Sequence, residues 1–500
     1  MTQQEFRRLV ARLERECDAT PGPYRLKVMA LAALGYAYVI SILAIAAAAL
    51  VWGVSLISGG HHLFAGAKLG LFGGAVGFLL VRALWVRLDP PTGRRLTAAD
   101  TPKLFEMIGK ILKREKGPKI HEVLVTDEFN AAIVQTPRFG IFGGYRNTLI
   151  VGLALMQAMT PKEFAAVVAH EYGHISGSHG KSGAWVYRIR LVWMRLYETF
   201  QQESDWFDKL FTRFFRWFIP YFNAYSFVLA RQQEYEADRA SARLVGSAVA
   251  AQALVASSVR GRFMGEKFWP GLYAQADRLP RPGFLPHATL RTAFRLGASE
   301  EDNARWLKEA MARRTDIDDT HPCLRDRLDA LGEKAVAPGP LDTSAARYFL
   351  GESLAAIVEA FDREWLEGVQ KDWAERHTAV RAAEARLDAA RGKDPKRMEV
   401  EELTPYALAL NTLGRKEEAL PLLRQAAEHS RGSAEVAMQA ALLMLDADDA
   451  DAIRYLELAM DRDGDLIREA TWRAWQFFDA RGDEEQASYW GDRLERVSAD

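Results

Sequence analysis

From Val28 to Ile57 the chain contains no charged residue. A helix of that length is longer than the hydrocarbon core of a bilayer requires, leaving residues for tilt or extension. A second apolar segment runs from about Leu63 to Val86, after the turn Gly59-Gly60-His61-His62. Lys68 and Arg82 sit near its ends, where long side chains reach the membrane interface. Gly70 with Gly74, and Gly73 with Gly77, give the G-x-x-x-G spacing that lets two helices approach closely. Residues 28–87 therefore read as two transmembrane helices in a hairpin, behind a polar segment 1–27. A signal peptide would place its apolar core nearer the start and add a small-residue cleavage site. A buried hairpin of a soluble protein is the alternative, and the length of the first segment weighs against it.

The basic residues give an orientation. Arg7, Arg8, Arg12, Arg15, Arg25 and Lys27 precede the first span, and Arg87, Arg94 and Arg95 follow the second. The short loop between offers little beyond Lys68. The positive-inside rule puts both ends in the cytoplasm. A multi-pass protein of the cell inner membrane is expected, with the lipid bilayer as one partner.

The whole chain has 500 residues and a net charge of −1, so several domains are expected and nothing favours nucleic acid. Its two cysteines, Cys17 and Cys323, lie far apart and carry no thiolate zinc spacing. Asp89-Pro-Pro-Thr-Gly93 reads as a linker. An amphipathic helix is expected over about Ala98–Glu115, with Leu104, Ile108, Ile111 and Leu112 on one face. Val123–Thr126, Ala131–Gln135 and Asn147–Val151 read as strands, with Gly140, Gly143 and Gly144 at the turns. Asn130 is either an ordinary turn residue or a substrate contact at a sheet edge.

His170-Glu-Tyr-Gly-His174 is an H-E-x-x-H motif in an apolar helical pattern. Two histidines at i and i+4 share a helix face and can reach one metal ion, and Glu171 projects beside them. Thr160, Pro161 and Glu163 form a capping box and helix start. The helix is expected to loosen at Gly177 and Gly180. A third ligand is needed. Arg231-Gln-Gln-Glu-Tyr-Glu-Ala-Asp-Arg239 supplies a candidate, since Glu234 and Asp238 share a face. Read alone, that cluster is a solvated helix face.

With both motifs in view the chain resembles the integral-membrane zinc metallopeptidases of the type I CAAX prenyl protease and the heat-shock protease HtpX. His321-Pro with Arg327, and Asn130-Ala131 ahead of the zinc helix, match two further elements of that family. The resemblance covers about Leu88 to Gly332. It implies a gluzincin-like α+β peptidase domain (residues 88–335) holding one Zn²⁺ per chain through His170, His174 and Glu234. It implies Glu171 as general base, Asp238 and Arg327 behind the ligands, and Asn130 and Ala131 at the substrate. His321 is the candidate donor to the oxyanion.

Between the two motifs, Trp206 to Phe227 crowds aromatic residues with Lys209, Arg213 and Arg216, broken at Pro220. It reads equally as an interfacial helix on the bilayer or as a wall of the cleft. Residues 340–395 are expected to form a helical hairpin or coiled coil. Residues 399–500 carry a weak repeat, with Ala419, Ala452 and Ala487 near the tetratricopeptide period. Such helical repeats usually bind a protein or peptide. The fold expected is thus mainly α with a small β-sheet. The function expected is a membrane-anchored zinc endopeptidase acting on protein substrates, in membrane-protein or protein quality control. A non-proteolytic membrane scaffold and a prenyl-protein processing protease are the alternatives. An intact Glu171 argues against the first, and only two clear spans against the second.

Overall fold

The computed structural model describes residues 3–60, 62–84, 90–137, 144–176, 207–315, 319, 321–429 and 431–499. His61, Val86, Arg87, Leu88, Asp89, Gly140, Gly143, Gly177, Gly180 and Trp206, named above, lie outside these residues. The chain is mainly helical with one small sheet and divides into two compact units. The first takes residues 1–270 and 284–364, and the second residues 271–283 and 365–500.

In the first unit the polar N-terminal segment is a helix, α1 (Gln3–Ala19). Leu9, Val10, Leu13 and Cys17 are buried on one of its faces, a 3.6-residue pattern that sequence reading passed over. Helix α2 (Pro21–Ser58) takes in the apolar run and begins earlier than expected, with Pro21 in its first turn. Helix α3 (Leu63–Leu84) packs back along it. Their crossing is close: a Cβ at Gly53 would stand 2.5 Å from the Gly70 nitrogen, and one at Gly73 2.5 Å from the Ala46 oxygen. Gly77 has open space and Gly74 only a distant Leu50, so the tight face runs through Gly66, Gly70 and Gly73. Leu26, Ile40, Ile45, Val51, Trp52, Leu71 and Phe78 are exposed on the outer faces of the pair. Among the described residues, α2 alone is long and apolar enough to cross a membrane.

The sheet has the order β1-β2-β4-β3. Strand β1 (Arg94–Leu96) was not foreseen, since three residues carry too little pattern. It pairs antiparallel with β2 (Glu122–Thr126), which runs parallel to β4 (Tyr145–Gly152). Strand β3 (Ala131–Pro137) lies antiparallel on β4 and forms an outer edge. Between β1 and β2, α4 (Pro102–Glu115) starts four residues later than expected. Pro102 disfavours helical backbone at Thr101, and Thr97 and Asp100 close a turn ahead of it. After β4 come α5 (Leu153–Ala158) and α6 (Pro161–Gly173), the H-E-x-x-H helix.

Helix α7 (Phe207–Val245) runs through Pro220 without a break, so the aromatic stretch and the Glu234 cluster belong to one helix. Its N-terminal half buries Phe215, Phe218 and Phe222 in one cluster with α1 and α2. The Tyr38 and Phe214 rings stack at 3.8 Å, and the Tyr24 hydroxyl donates to the Tyr225 carbonyl at 2.9 Å. This cluster is distinct from the one beneath α6, and through it the stretch packs along the apolar helix. Helices α8 (Ser247–Phe263), α9 (Pro286–Leu296), α10 (Glu300–Ala312) and α11 (Leu324–Leu331) complete the domain. Beyond it, α12 (Ala345–Leu350) is short and α13 (Ser353–Ala389) is one uninterrupted helix with no hairpin turn. Charged i,i+4 pairs such as Arg363 with Glu359 carry it through without a turn.

In the second unit, Trp373 Nε1 donates to the Leu279 carbonyl at 2.9 Å and Arg376 pairs with Asp277 at 2.7 Å. Six helices follow: α14 (Val400–Thr412), α15 (Lys416–Glu428), α16 (Ala434–Asp446), α17 (Ala452–Arg462), α18 (Ile467–Ala480) and α19 (Glu484–Ala499). Each packs on the next. Gly414, Asp448 and Gly482 take left-handed φ values of 73°, 59° and 68°. The following amides donate back in the same way, Arg415 to Leu410, Asp449 to Met444 and Asp483 to Phe478, at 2.9, 2.9 and 3.1 Å. This is the Schellman ending, repeated at a constant interval of 34 residues. Ala419 and Ala452 are fully buried, whereas Ala487, on the final helix, is only half-buried.

Candidate metal centre

Helix α6 begins as the sequence predicts. The Glu163 amide donates to Thr160 Oγ1 at 3.3 Å, and the Thr160 amide to Glu163 Oε2 at 2.8 Å, a complete capping box. The helix ends at Gly173, with His174 as its C-cap. A Cβ on Gly173 would lie 3.0 Å from Ala237 Cα, so glycine lets α6 and α7 touch at this level. Ser241 Oγ donates to the Ala166 carbonyl at 2.8 Å and fixes the crossing from its other end. The helices are thereby locked in a register that sets the first motif against the second.

Three side chains converge there. His174 Nε2 lies 3.2 Å from His170 Nε2, and the Glu234 oxygens lie 3.4 Å from His174 Nε2 and 3.6 Å from His170 Nε2. Two donors on a tetrahedral ion with bonds of about 2.0–2.1 Å would be about 3.3 Å apart, close to each of these separations. Glu234 Oε2 is buried and has no well-formed hydrogen bond, although His321 Nδ1 stands 2.7 Å away. An orphaned carboxylate oxygen beside two convergent imidazole nitrogens fits a bound cation, and this trio forms the candidate metal-holding group among the described residues.

Around the trio the expected second layer is present. His170 Nδ1 lies 2.9 Å from Asp238 Oδ1. Arg327 grips Asp238 with both arms of its fork, Nε to Oδ2 at 2.9 Å and Nη2 to Oδ1 at 2.6 Å. Asp238 thus contacts a candidate ligand histidine and Arg327 at once. His321 is exposed and reaches inward only to Glu234. Asn130 and Ala131 sit where edge strand β3 begins, with the Asn130 carbonyl accepting from the Gly152 amide at 2.8 Å.

The electrostatics follow from burial and neighbours. Burial works against a charged His170, but hydrogen bonds to Asp238 and Glu234 outweigh it, and its pKa is pushed up to about 9. Burial and the adjacent His170 pull His174 down to about 4. Burial raises the Glu234 and Asp238 carboxyls, yet their partners win: His170 and His321 for Glu234, Arg327 and His170 for Asp238. Both end below the usual carboxylate range. Glu171 is half-buried, and burial lifts its carboxyl above the ordinary value despite His170. A carboxyl raised in this way can gain and lose a proton nearer neutral pH.

Two supports were not foreseen. Arg260, buried in α8, donates to the Ala158 carbonyl and to Gly339, and pairs with Glu163 at 3.4 Å, tying down the start of α6. Its signal was a lone arginine on an otherwise apolar helix face. Asp362 accepts from the His287 and Ala288 amides at 2.8 and 3.0 Å, capping α9. No short-range pattern links residues so far apart in sequence. Cys17 and Cys323 are both buried free thiols.

Residues 132–335 match the model of Peptidase family M48. The span contains each side chain that converges on the candidate centre and begins just after Asn130 and Ala131. No curated protein significantly matches the chain.

Proposed function

We propose that this chain, whose residues 132–335 belong to peptidase family M48 and mark it as a metallopeptidase, is a membrane-anchored zinc endopeptidase with a cytoplasmic active site. The observation that carries the reading is the approach of His170, His174 and Glu234 to within ligand distance of one another. Two imidazoles and one carboxylate are the donor set of zinc hydrolases that keep one position open. When bound, zinc supplies Lewis acidity, lowering the pKa of a water and polarising a carbonyl. Glu171 takes the proton of the attacking water and passes it to the leaving amine. Asp238, held by Arg327, fixes the ring orientation of His170 through its Nδ1. His321 offers an N–H donor to the developing oxyanion. Asn130 and Ala131 open the edge strand β3, whose free side suits an extended substrate backbone.

Anchoring is supported by α2 and by the apolar side chains that α2 and α3 leave exposed. Arginines on α1 and after α3 support cytoplasmic placement. With few spans to enclose a lipid-bearing substrate, processing of damaged or unassembled membrane proteins is the fitting role. The 34-residue periodicity of α14–α19 supports a tetratricopeptide-like stack that receives a protein or peptide partner.

Purified protein should hold about one zinc per chain. Glu171→Gln should keep the zinc and lose cleavage by about 10²–10⁴-fold. Glu234→Ala should lose most of the metal; normal metal content in it would remove Glu234 from the ligand set. A cysteine at Gly60 should react with an impermeant thiol reagent outside cells, and one at Gly93 should not. The reverse pattern overturns the cytoplasmic assignment. Proteomic comparison of cells carrying wild type and the Glu171→Gln trap would identify substrates.

A further inference from the structure

Helices α1 and α7 line an open cavity of about 710 Å³. Arg8, Arg12 and Arg15 line it from one face of α1, at the i, i+4, i+7 spacing, and Arg216 lines it from α7. Trp217 and Tyr221 complete the wall and are 51 % and 37 % exposed. Glu5 is the one acid among the lining residues, so the wall keeps a large positive excess.

Some basic residues of this region are neutralised. Arg25 pairs with Glu236 and Lys27 with Glu16. Among the described residues, none of the four cavity arginines forms an ion pair, and Arg15 Nε donates only to the Ala11 carbonyl. Four guanidinium groups around one space repel each other unless an anion sits between them. The aromatic pair favours the headgroup level of a bilayer, where a ring meets both apolar and wet surroundings. The same α7 segment packs along α2, and the Tyr38–Phe214 stack joins them. Helix α2 also leaves apolar side chains exposed along its length, Leu26 and Ile40 among them, which acyl chains can cover.

We propose that this cavity is a binding site for an anionic glycerophospholipid, with the phosphodiester among Arg8, Arg12, Arg15 and Arg216 and the acyl chains along α2. The proposal rests on the membrane anchoring argued above. Arginine forks suit phosphate oxygens, and the volume lies within the range of small-ligand sites. The lipid bridges α1 to α7, the helix that carries Glu234 and Asp238, so the bilayer supports the metal centre through one helix.

The test uses the full chain reconstituted in phosphatidylcholine vesicles containing a trace of spin-labelled lipid. The motionally restricted fraction of the label is read by electron paramagnetic resonance. Spin-labelled phosphatidylglycerol should be retained over spin-labelled phosphatidylcholine by at least about fivefold, with a similar factor lost for each cavity arginine removed. Arg12→Gln with Arg216→Gln should bring the two lipids to near parity. Arg8→Gln with Arg15→Gln gives a second reading should the first pair fail to fold. Arg7→Gln removes the same charge from α1 away from the cavity and should leave the preference intact. Equal retention of the two lipids by wild type overturns the site, as does a loss in Arg7→Gln equal to that in the cavity variants. Displacement by excess inorganic phosphate would make it a site for free phosphate instead. Failure of the wild type to enter vesicles at all would overturn the anchoring, and the site with it.

Discussion

The Nδ1 atom of His170 lies 2.9 Å from Asp238 Oδ1, and the same oxygen accepts from Arg327 Nη2 at 2.6 Å. One carboxylate thus joins a candidate ligand to a buried guanidinium. The bond turns the ring so that Nε2 faces His174 and Glu234. Asp238→Ala should weaken zinc binding by about 10–100-fold, read by competition with a chromogenic chelator. Arg327→Lys keeps the charge but loses the fork, and should weaken binding by less. Unchanged affinity in both would show that His170 is oriented by packing alone.

In the metal-free protein, hydrogen bonds to the Asp238 and Glu234 carboxylates outweigh burial and hold the proton on His170, raising its pKa from an ordinary 6.5 to about 9. A group whose folded pKa is raised stabilises the fold fully below its unfolded pKa and loses that contribution as pH climbs through the folded one. Apo protein should therefore lose thermal stability between about pH 6.5 and pH 9. Zinc-loaded protein should lose less across the same window, because a ligand imidazole is already unprotonated. Melting temperatures in chelator and in zinc, recorded across that range, check the difference. Parallel curves would contradict it.

Much of the centre could be read from sequence because its parts are local. H-E-x-x-H is little more than one turn of helix, the capping box is four residues, and Glu234 with Asp238 is again one turn. What could not be read depends on partners distant in sequence. Arg260 reaches Glu163 across the domain, and although a lone arginine on an apolar helix face marks Arg260, nothing near it names its partner. Helix α1 was passed over because charges dominate its composition, although Leu9, Leu13 and Cys17 keep helical spacing. The break expected at Pro220 failed because packing on α1 and α2 holds the helix through one lost backbone bond. The G-x-x-x-G spacing was seen, but which glycines meet α2 depends on the crossing itself, and that brought in Gly66 and Gly53.

Gly173 sets the distance between the two motifs. A Cβ there would press on Ala237 Cα at 3.0 Å and Ala240 Cβ at 3.1 Å. Gly173→Val should cost about 1–3 kcal/mol by overpacking and move α6 from α7. The separation between His170, His174 and Glu234 would widen with it. Metal affinity should fall more than helical content, measured by chelator competition and far-ultraviolet circular dichroism. Equal metal affinity in the variant would mean that α7 yields without disturbing Glu234.

Gly414, Asp448 and Gly482 occupy equivalent left-handed positions, yet only two are glycine. A side chain in that conformation costs about 1–2 kcal/mol, least for Asp and Asn, which bond locally. Gly414→Ala and Gly482→Ala should each weaken the stack by about that amount, seen as faster hydrogen exchange in the flanking helices. Asp448→Gly removes the conformational cost but also the pairing of Asp448 with Arg481 at 2.9 Å, an exposed contact of small worth. Its effect should be near neutral. All three variants should cleave a small unfolded peptide at the wild-type rate, since the metal-binding side chains lie upstream of the stack. If instead Asp448→Gly loosens the stack as much as Gly414→Ala, the three turns are not equivalent and the 34-residue repeat is not a structural unit.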